Sequence, residues 1–260
     1  MQEGAYLDVA QVTLYVFWIF FACLIFYLRR EDKREGYPLD STASGGGFAH
    51  GFPRMPDPKK YLLRSGHTVT LPNTKNDRRE GIAARPIAVW PGAPLEPTGN
   101  PMIDGVGPGA WADREDVPEL NFENVPSIVP LRLAVGSYIE PRDPDPRGMK
   151  VIGADNEIGG VVTEVWVDRA EGLIRYIEVD VATAAGTSAG AKHVLLPMQF
   201  ALVNHKRGRV TVDAILGSQF ANVPATASLD QVTKREEDRI VGYYGAGTLY
   251  ATPARQEPLL

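Results

Sequence analysis

An apolar run from Val9 to Leu28 constrains this chain more than any other feature of its sequence. Gln11 and Thr13 are its only polar members apart from two tyrosines, and Arg29 ends it. An α-helix rises about 1.5 Å per residue, so these 20 residues span roughly 30 Å, the thickness of the hydrocarbon core of a bilayer. The sequence therefore predicts one transmembrane helix, with a span of about 9–28.

Basic residues lie on one side of this run only. Four of them follow it within six positions, whereas residues 1–8 contain no lysine or arginine. Because cytoplasmic flanks carry the excess of lysine and arginine, we expect a periplasmic N-terminus and a cytoplasmic main domain. A cleaved signal peptide would need a basic start and a shorter apolar run, and this sequence has neither.

The basic flank and one face of the predicted helix suggest contacts with lipids or with a partner protein. Headgroups of anionic lipids are the expected partners of a basic cluster at the membrane surface. The predicted lipid-contact residues are Arg29, Arg30, Lys33, Arg34 and Tyr37. Phe17, Phe21, Leu24 and Leu28 recur at helical spacing, and they are equally compatible with lipid contact and with packing against the helices of a partner.

The rest of the chain divides into two regions after the anchor of residues 1–35. Residues 36–125 are rich in proline and glycine and predict an extended, loop-rich segment at the membrane surface, with short strands around Ser65-Gly66. Residues 126–260 carry alternating apolar patterns and predict a β domain. The predicted strands are 128–135, 161–168, 174–181, 194–203 and 209–215.

These short strands predict a small antiparallel barrel or sandwich. A helix is expected to close the domain, because Thr233 and Glu236 have the spacing of a capping box. Gly245 or Gly247 is its expected end. The fold class is therefore mainly β, with one N-terminal transmembrane helix and a short C-terminal helix.

No catalytic motif stands out in the sequence. HExxH, CxxC, GxSxG and GxxxxGK are all missing, the four histidines are scattered, and Cys23 is the only cysteine. The formal net charge of −5 gives no support for a nucleic-acid partner. We therefore expect a scaffold or interaction subunit that is not an enzyme and holds no metal or cofactor.

Several short segments follow one another along nearly the whole chain: RREDKREGYPLD at 29–40, EPTGNPMIDGVGPG at 96–109, DPDPRGM at 143–149, VWVD at 165–168, RYIEV at 175–179, LLPM at 195–198 and FANVP at 220–224. These segments resemble the H subunit of the purple-bacterial photosynthetic reaction centre, a member of the PRC-barrel family. Each segment is short, and their common order makes the resemblance specific.

The resemblance implies a PRC-type barrel that caps the L and M subunits at the cytoplasmic side of the bacterial inner (intracytoplasmic) membrane. Those partners would hold bacteriochlorophyll, bacteriopheophytin, quinones, non-haem iron and carotenoid, and this chain none of them. A cytochrome subunit and a light-harvesting ring are possible further partners. The implied role is to stabilise the complex and to assist proton delivery to the secondary quinone.

Five residues are the candidates for that proton transfer. By resemblance, Glu171 matches an acid near the secondary quinone, Arg175 a neighbouring base, and Asp168 lies close by. Some family members have histidines and an aspartate at a proton entrance around 121–128, where this chain has no histidine. Glu119 and Glu123 are expected to serve there instead.

Two other classes of function remain as alternatives. A membrane-anchored enzyme would require a cleft with convergent polar groups, and no nucleophile–base pattern indicates one. A PRC-barrel adaptor of another complex would share the fold but not the pigmented partners. Association with pigment distinguishes the reaction-centre subunit from both.

Overall fold

The computed structural model describes residues 8–35, 52–73, 81–90, 93–181 and 192–256. Its chain forms two compact units. The first comprises Met1–Asn76 with Val89–Ala93, and the second comprises Asp77–Ala88 with Pro94–Leu260. The predicted boundaries after residues 35 and 125 remain predictions. Tyr37 lies outside the described residues.

The first unit contains helix α1, Val9–Arg34, whose N-cap Asp8 accepts a hydrogen bond from the Ala10 amide at 2.9 Å. No residue of α1 is buried, and within the described residues it is the one helix long and apolar enough to cross a membrane. The helix continues six residues beyond Leu28, because the basic segment that ends the apolar run has good helix formers.

An antiparallel hairpin follows in the same unit, as the pattern around Ser65-Gly66 predicts. It consists of β1, Lys59–Leu62, and β2, Thr68–Leu71. Gly66 adopts a φ of 82°, which glycine tolerates without a steric penalty. Almost every residue of the two strands is exposed.

The second unit begins with short elements in the region predicted to be irregular. Strands β3, Ala84–Pro86, and β4, Leu95–Pro97, pair antiparallel, and α2, Pro101–Asp104, follows. A seven-stranded sheet then forms, with the order β10-β11-β6-β7-β8-β9 and with β5 paired to β7. Its strands are β5 Ile128–Pro130, β6 Lys150–Ile152, β7 Ile158–Asp168, β8 Leu173–Asp180, β9 His193–Pro197, β10 Leu202–Asn204 and β11 Arg209–Thr211.

The mainly β class is confirmed, but several details of the prediction are wrong. The strand predicted at 128–135 ends at Pro130, and the one at 194–203 breaks after Pro197; short 3-10 turns follow both. Strand β6 was not predicted, and β11 pairs with it in parallel. Among the described strands, no pairing joins β9 to β10 to close the sheet.

Helix α3, Lys234–Tyr250, packs on the sheet, and the predicted capping box at its start is confirmed. The predicted end at Gly245 or Gly247 is wrong, because these glycines serve close packing instead. A Cβ at Gly245 would lie 3.1 Å from the Pro108 carbonyl oxygen, and one at Gly247 would lie 2.5 Å from that of Ala214. The helix therefore continues past both.

Tyr244 of α3 is fully buried between Phe200 and Phe220. Its hydroxyl has no hydrogen-bond partner among the described residues, and burial raises its pKa well above the usual range. Because an unpaired buried hydroxyl is costly, we expect Tyr244→Phe to keep the fold and to raise the free energy of unfolding by about 1 kcal/mol. Chemical denaturation of the purified chain measures this, and a clear loss of stability would contradict it.

Candidate functional site

Asp168 ends β7 and is buried, with 7% of its surface exposed. Its Oδ1 accepts hydrogen bonds from the backbone amides of Ala170, at 2.8 Å, and Glu171, at 3.2 Å. Its carbonyl oxygen accepts from the Gly172 amide at 2.8 Å. The carboxylate therefore shapes the β7–β8 turn that carries Glu171.

Replacing Asp168 tests this structural role. Asp168→Ala leaves two turn amides without their acceptor, so we expect a loss of about 1–3 kcal/mol in the free energy of unfolding. Asp168→Asn keeps an oxygen in place and should lose less than half of that. Equal losses in the two variants, measured by thermal or chemical unfolding, would argue against turn capping as the main structural role.

Glu171 and Arg175 are both exposed, Glu171 in the turn and Arg175 on β8. The turn thus places Asp168 and Glu171 together, as the sequence indicates. Arg175 lies further along β8. Its positive charge partly opposes the increases in the pKa of the Tyr176 phenol and of the Glu237 carboxyl.

A cavity of about 550 Å³ opens beside this turn. Asp168 shares its lining with Glu140 and Asp143, while Leu173, Ile174 and Ile177 supply apolar walls. The three carboxylate residues therefore border one recess on the surface of the β domain.

Glu119 and Glu123 are exposed residues in the segment that precedes β5. Two backbone hydrogen bonds connect this segment to the turn: the Ser127 amide donates to the Glu119 carbonyl at 2.7 Å, and the Arg169 amide donates to the Ser127 carbonyl at 2.9 Å. The Arg169 guanidinium also donates to the carbonyl of Pro126. Glu119 and Asp168 are therefore held on adjacent backbone segments.

The same segment is attached to α3. Pro118 forms a β-bridge with Thr233, and the Lys234 amide donates to the Val117 carbonyl at 3.0 Å. Arg235 reinforces the attachment by pairing with Asp113 at 2.9 Å and with Asp116 at 3.2 Å. The first turn of α3 therefore lies directly beside Glu119.

Glu237, in that first turn, is the residue that sequence reasoning missed as a site residue. It is buried, and the Tyr176 hydroxyl donates a hydrogen bond to its Oε1 at 2.7 Å. Burial raises its pKa above the ordinary value of 4.5, and the negative charge of Glu119 acts in the same direction. The Tyr176 hydrogen bond and the charges of Arg175 and Arg114 partly oppose the increase in pKa.

Glu178 is a second buried carboxylate, on β8. The Trp166 indole donates to its Oε2 at 2.9 Å and the Thr163 hydroxyl to its Oε1 at 3.3 Å. The Nδ1 atom of His193 lies 2.8 Å from the same Oε1. These contacts tie β7, β8 and β9 together, which suits a structural role.

The basic end of α1 is partly occupied by contacts within its own unit. Arg34 donates to Glu31 and to the Asp57 carbonyl, at 2.8 Å from Nη2, and Lys59 Nζ lies 2.5 Å from Glu31 Oε2. Arg29 and Arg30 stay exposed. Lipid contact by the predicted basic residues remains a prediction.

Among the described residues, no group of three or more His, Cys, Asp or Glu side chains could hold a metal ion.

Two family models match the sequence. The model for the photosynthetic reaction centre, H-chain N-terminal region, matches residues 3–133, about half of the chain, and that for the PRC-barrel domain matches residues 140–219.

The fold and these matches define the class: a membrane-associated protein in which a PRC-barrel domain follows an apolar N-terminal helix. Within that class, the chain belongs to the photosynthetic reaction centre H-chain family. The family predicted from the sequence is thereby confirmed. Its members are structural subunits that associate with L and M subunits, and the partner subunits carry the cofactors.

Proposed function

We propose that this chain caps the cytoplasmic face of the L and M subunits and assists proton delivery to the secondary quinone during light-driven electron transfer. The observation that carries the proton role is the buried carboxyl of Glu237, whose pKa is raised and whose Oε1 accepts a hydrogen bond from Tyr176. A carboxyl with a raised pKa can hold a proton closer to neutral pH than an exposed one.

Quinone chemistry explains why a subunit without cofactors would carry such a group. Reducing a quinone to a quinol consumes two electrons and two protons. Electrons can cross a dry interior, whereas protons need titratable groups or water along their route. A carboxyl that exchanges a proton near the working pH meets that need.

The arrangement of carboxylates supports a route across the surface of the β domain. Glu119 stands beside Glu237 at one end, and its backbone is connected through Ser127 to the segment with Asp168 and Glu171. In this proposal Glu119 and Glu123 collect protons, Glu237 holds one, and Glu171 releases protons toward the partner subunits. The positive charge of Arg175 partly opposes the increase in the Glu237 pKa, which favours release of that proton.

The proposal includes an orientation and further partners. The basic residues after the span favour a periplasmic N-terminus and a cytoplasmic β domain in the bacterial inner membrane. A cytochrome subunit and a light-harvesting ring would belong to the same complex.

Co-purification with pigment tests the assembly. The full chain, carrying an affinity tag, is captured from gently solubilised source membranes, and the near-infrared spectrum of the eluate is recorded. Bacteriochlorophyll bands that bleach reversibly on illumination are expected. A colourless eluate from a pigmented membrane would overturn the assignment and favour a PRC-barrel adaptor of another complex.

Glu171→Gln tests the last step of the proposed route. With pigment present, we expect slower proton-coupled transfer of the second electron, because an amide cannot pass on a proton. Flash spectroscopy on the complex, repeated from acid to alkaline pH, measures the rate. A rate equal to that of the unaltered complex across the whole range would remove Glu171 from the route.

A further inference from the structure

The contact between Phe52 and Phe26 indicates how deep in a membrane the segment around Phe52 would lie. The two ring centroids are 5.5 Å apart, and both side chains are exposed, Phe52 at 87% and Phe26 at 40%. Phe26 lies two residues before Leu28, about 3 Å inside the end of the run. If α1 crosses the membrane, the Phe52 ring therefore lies at the level of the outermost acyl-chain carbons.

An ion pair and hydrogen bonds attach the segment that follows Phe52 to the end of α1. Lys59 pairs with Glu31 at 2.5 Å, and the Arg34 guanidinium donates to the Asp57 carbonyl at 2.8 Å and 3.0 Å. Lys59 also lies 5.9 Å from the centre of the Tyr27 ring. Glu31 is three residues beyond Leu28, about 4.5 Å further along the axis, so β1 starts at headgroup level.

Among the described residues of its unit, little packs against the β1–β2 hairpin. It has two strands, almost all of whose residues are exposed. Such an isolated hairpin is only marginally stable in water. Its first strand presents Tyr61 and Leu62 with the basic Lys60, a combination typical of elements that lie in the membrane interface.

We infer that residues 52–62 form a second membrane-contacting element, in which Phe52 inserts among acyl chains beside Phe26 and β1 lies in the anionic headgroup layer. The inference rests on the membrane-spanning role of α1. A lipid surface suits the segment because it continues the surface of the apolar helix itself. Arg54 and Lys60, which are exposed, add positive charge where anionic headgroups would lie.

Spin labels in the full chain test this element in its native membrane. The single cysteine, Cys23, is replaced by serine, and a nitroxide is attached at Phe52→Cys or Leu62→Cys. Collision rates with oxygen, which concentrates in the hydrocarbon, are compared with those of a water-soluble nickel chelate. Labels at Phe17, inside the span, and at the fully exposed Val135 provide the lipid and water references.

At Phe52 we expect an oxygen-to-nickel ratio several-fold above that at Val135 but below that at Phe17, which lies deeper in the span. Leu62 should give a ratio between the two references. A water-like ratio at either position overturns the inference, and so does low access to both reagents, which would mean that a partner protein covers the element. A water-like ratio at Phe17 itself would contradict the membrane-spanning role, separately from the inference.

Discussion

Glu237→Gln is expected to slow the second proton-coupled electron transfer in the assembled complex by about a hundredfold, at the low end of what positioned proton-transfer groups contribute. Glutamine keeps the acceptor for the Tyr176 hydroxyl, so the packing around the side chain survives. The proton that the buried carboxyl would hold is lost. Flash-induced absorbance changes and proton uptake with a pH indicator measure the two consequences.

Two companion variants separate proton transfer from structural damage. Glu157→Gln alters an exposed carboxyl outside the proposed route, which makes it a matched control. Tyr176→Phe removes the hydrogen bond that opposes the increase in the Glu237 pKa, so the pH dependence of the rate should move to higher pH. Unchanged rates and unchanged proton uptake in Glu237→Gln would refute the role of Glu237.

The raised pKa of Glu237 also determines how the stability of the chain changes with pH. Above the ordinary value of 4.5, the unfolded chain gives up this proton while the native protein still holds it. The free energy of unfolding therefore falls as pH rises from that value through the raised native pKa. In Glu237→Gln, this fall in the free energy of unfolding with rising pH should disappear. Unfolding curves at a series of pH values measure the difference.

Phe220→Ala is expected to reduce the free energy of unfolding by about 3–5 kcal/mol, the range for removing a buried aromatic ring. Phe220 has no exposed surface and packs edge-on against Tyr244, with ring centres 6.2 Å apart. The cavity left between the sheet and α3 cannot fill without moving both. Unfolding of the purified chain measures the loss, and Tyr138→Ala, at a mostly exposed aromatic, is the surface control.

Gly159 provides a check on the same packing. A Cβ at this position would overlap the Phe220 ring, so Gly159→Ala should destabilise the chain by about 1–3 kcal/mol through overpacking. In the Phe220→Ala background the ring is gone, and the methyl group has room. The double variant should therefore lose less free energy of unfolding than the two single variants lose together. A loss equal to their sum would argue against direct contact between Gly159 and Phe220.

The sequence predicts the parts of the fold that depend on long regular patterns. The apolar run of α1 and the alternating residues of β7 and β8 are of this kind, and each element forms where expected. Strand β6 has only three residues, Lys150–Ile152, which is too short for a periodic signal. Its parallel partner β11 lies some sixty residues later in the chain, so only the folded sheet reveals the pair.

Two strand ends could have been read from the sequence. Pro130 and Pro197 lack the amide needed to continue a ladder, and both strands end there. The alternation of apolar residues beyond them suggested longer strands. In each case the missing amide of a single proline ended the strand, although the apolar alternation continued beyond it.

The candidate site was predictable where neighbours in sequence are neighbours in space. Asp168 and Glu171 share one turn, and the sequence indicates their proximity directly. Glu237 was different, because acids are common in the first turn of a helix, where they suit the helix dipole, and nothing in the sequence marks this one as buried. Its burial depends on strand β8 and the segment around Pro118, which only the tertiary fold brings there.

The attachment of the 113–120 segment to α3 has a consequence for the order of events during synthesis. Thr233 and Arg235, which hold this segment, leave the ribosome more than a hundred residues after it. At bacterial rates of translation that delay is on the order of 10 s. Until α3 arrives, Glu119 lacks Glu237 as a neighbour, and the Tyr176 hydroxyl lacks the carboxyl to which it donates. A nascent or truncated chain thus contains its apolar helix early and still lacks Glu237, the residue proposed to hold a proton.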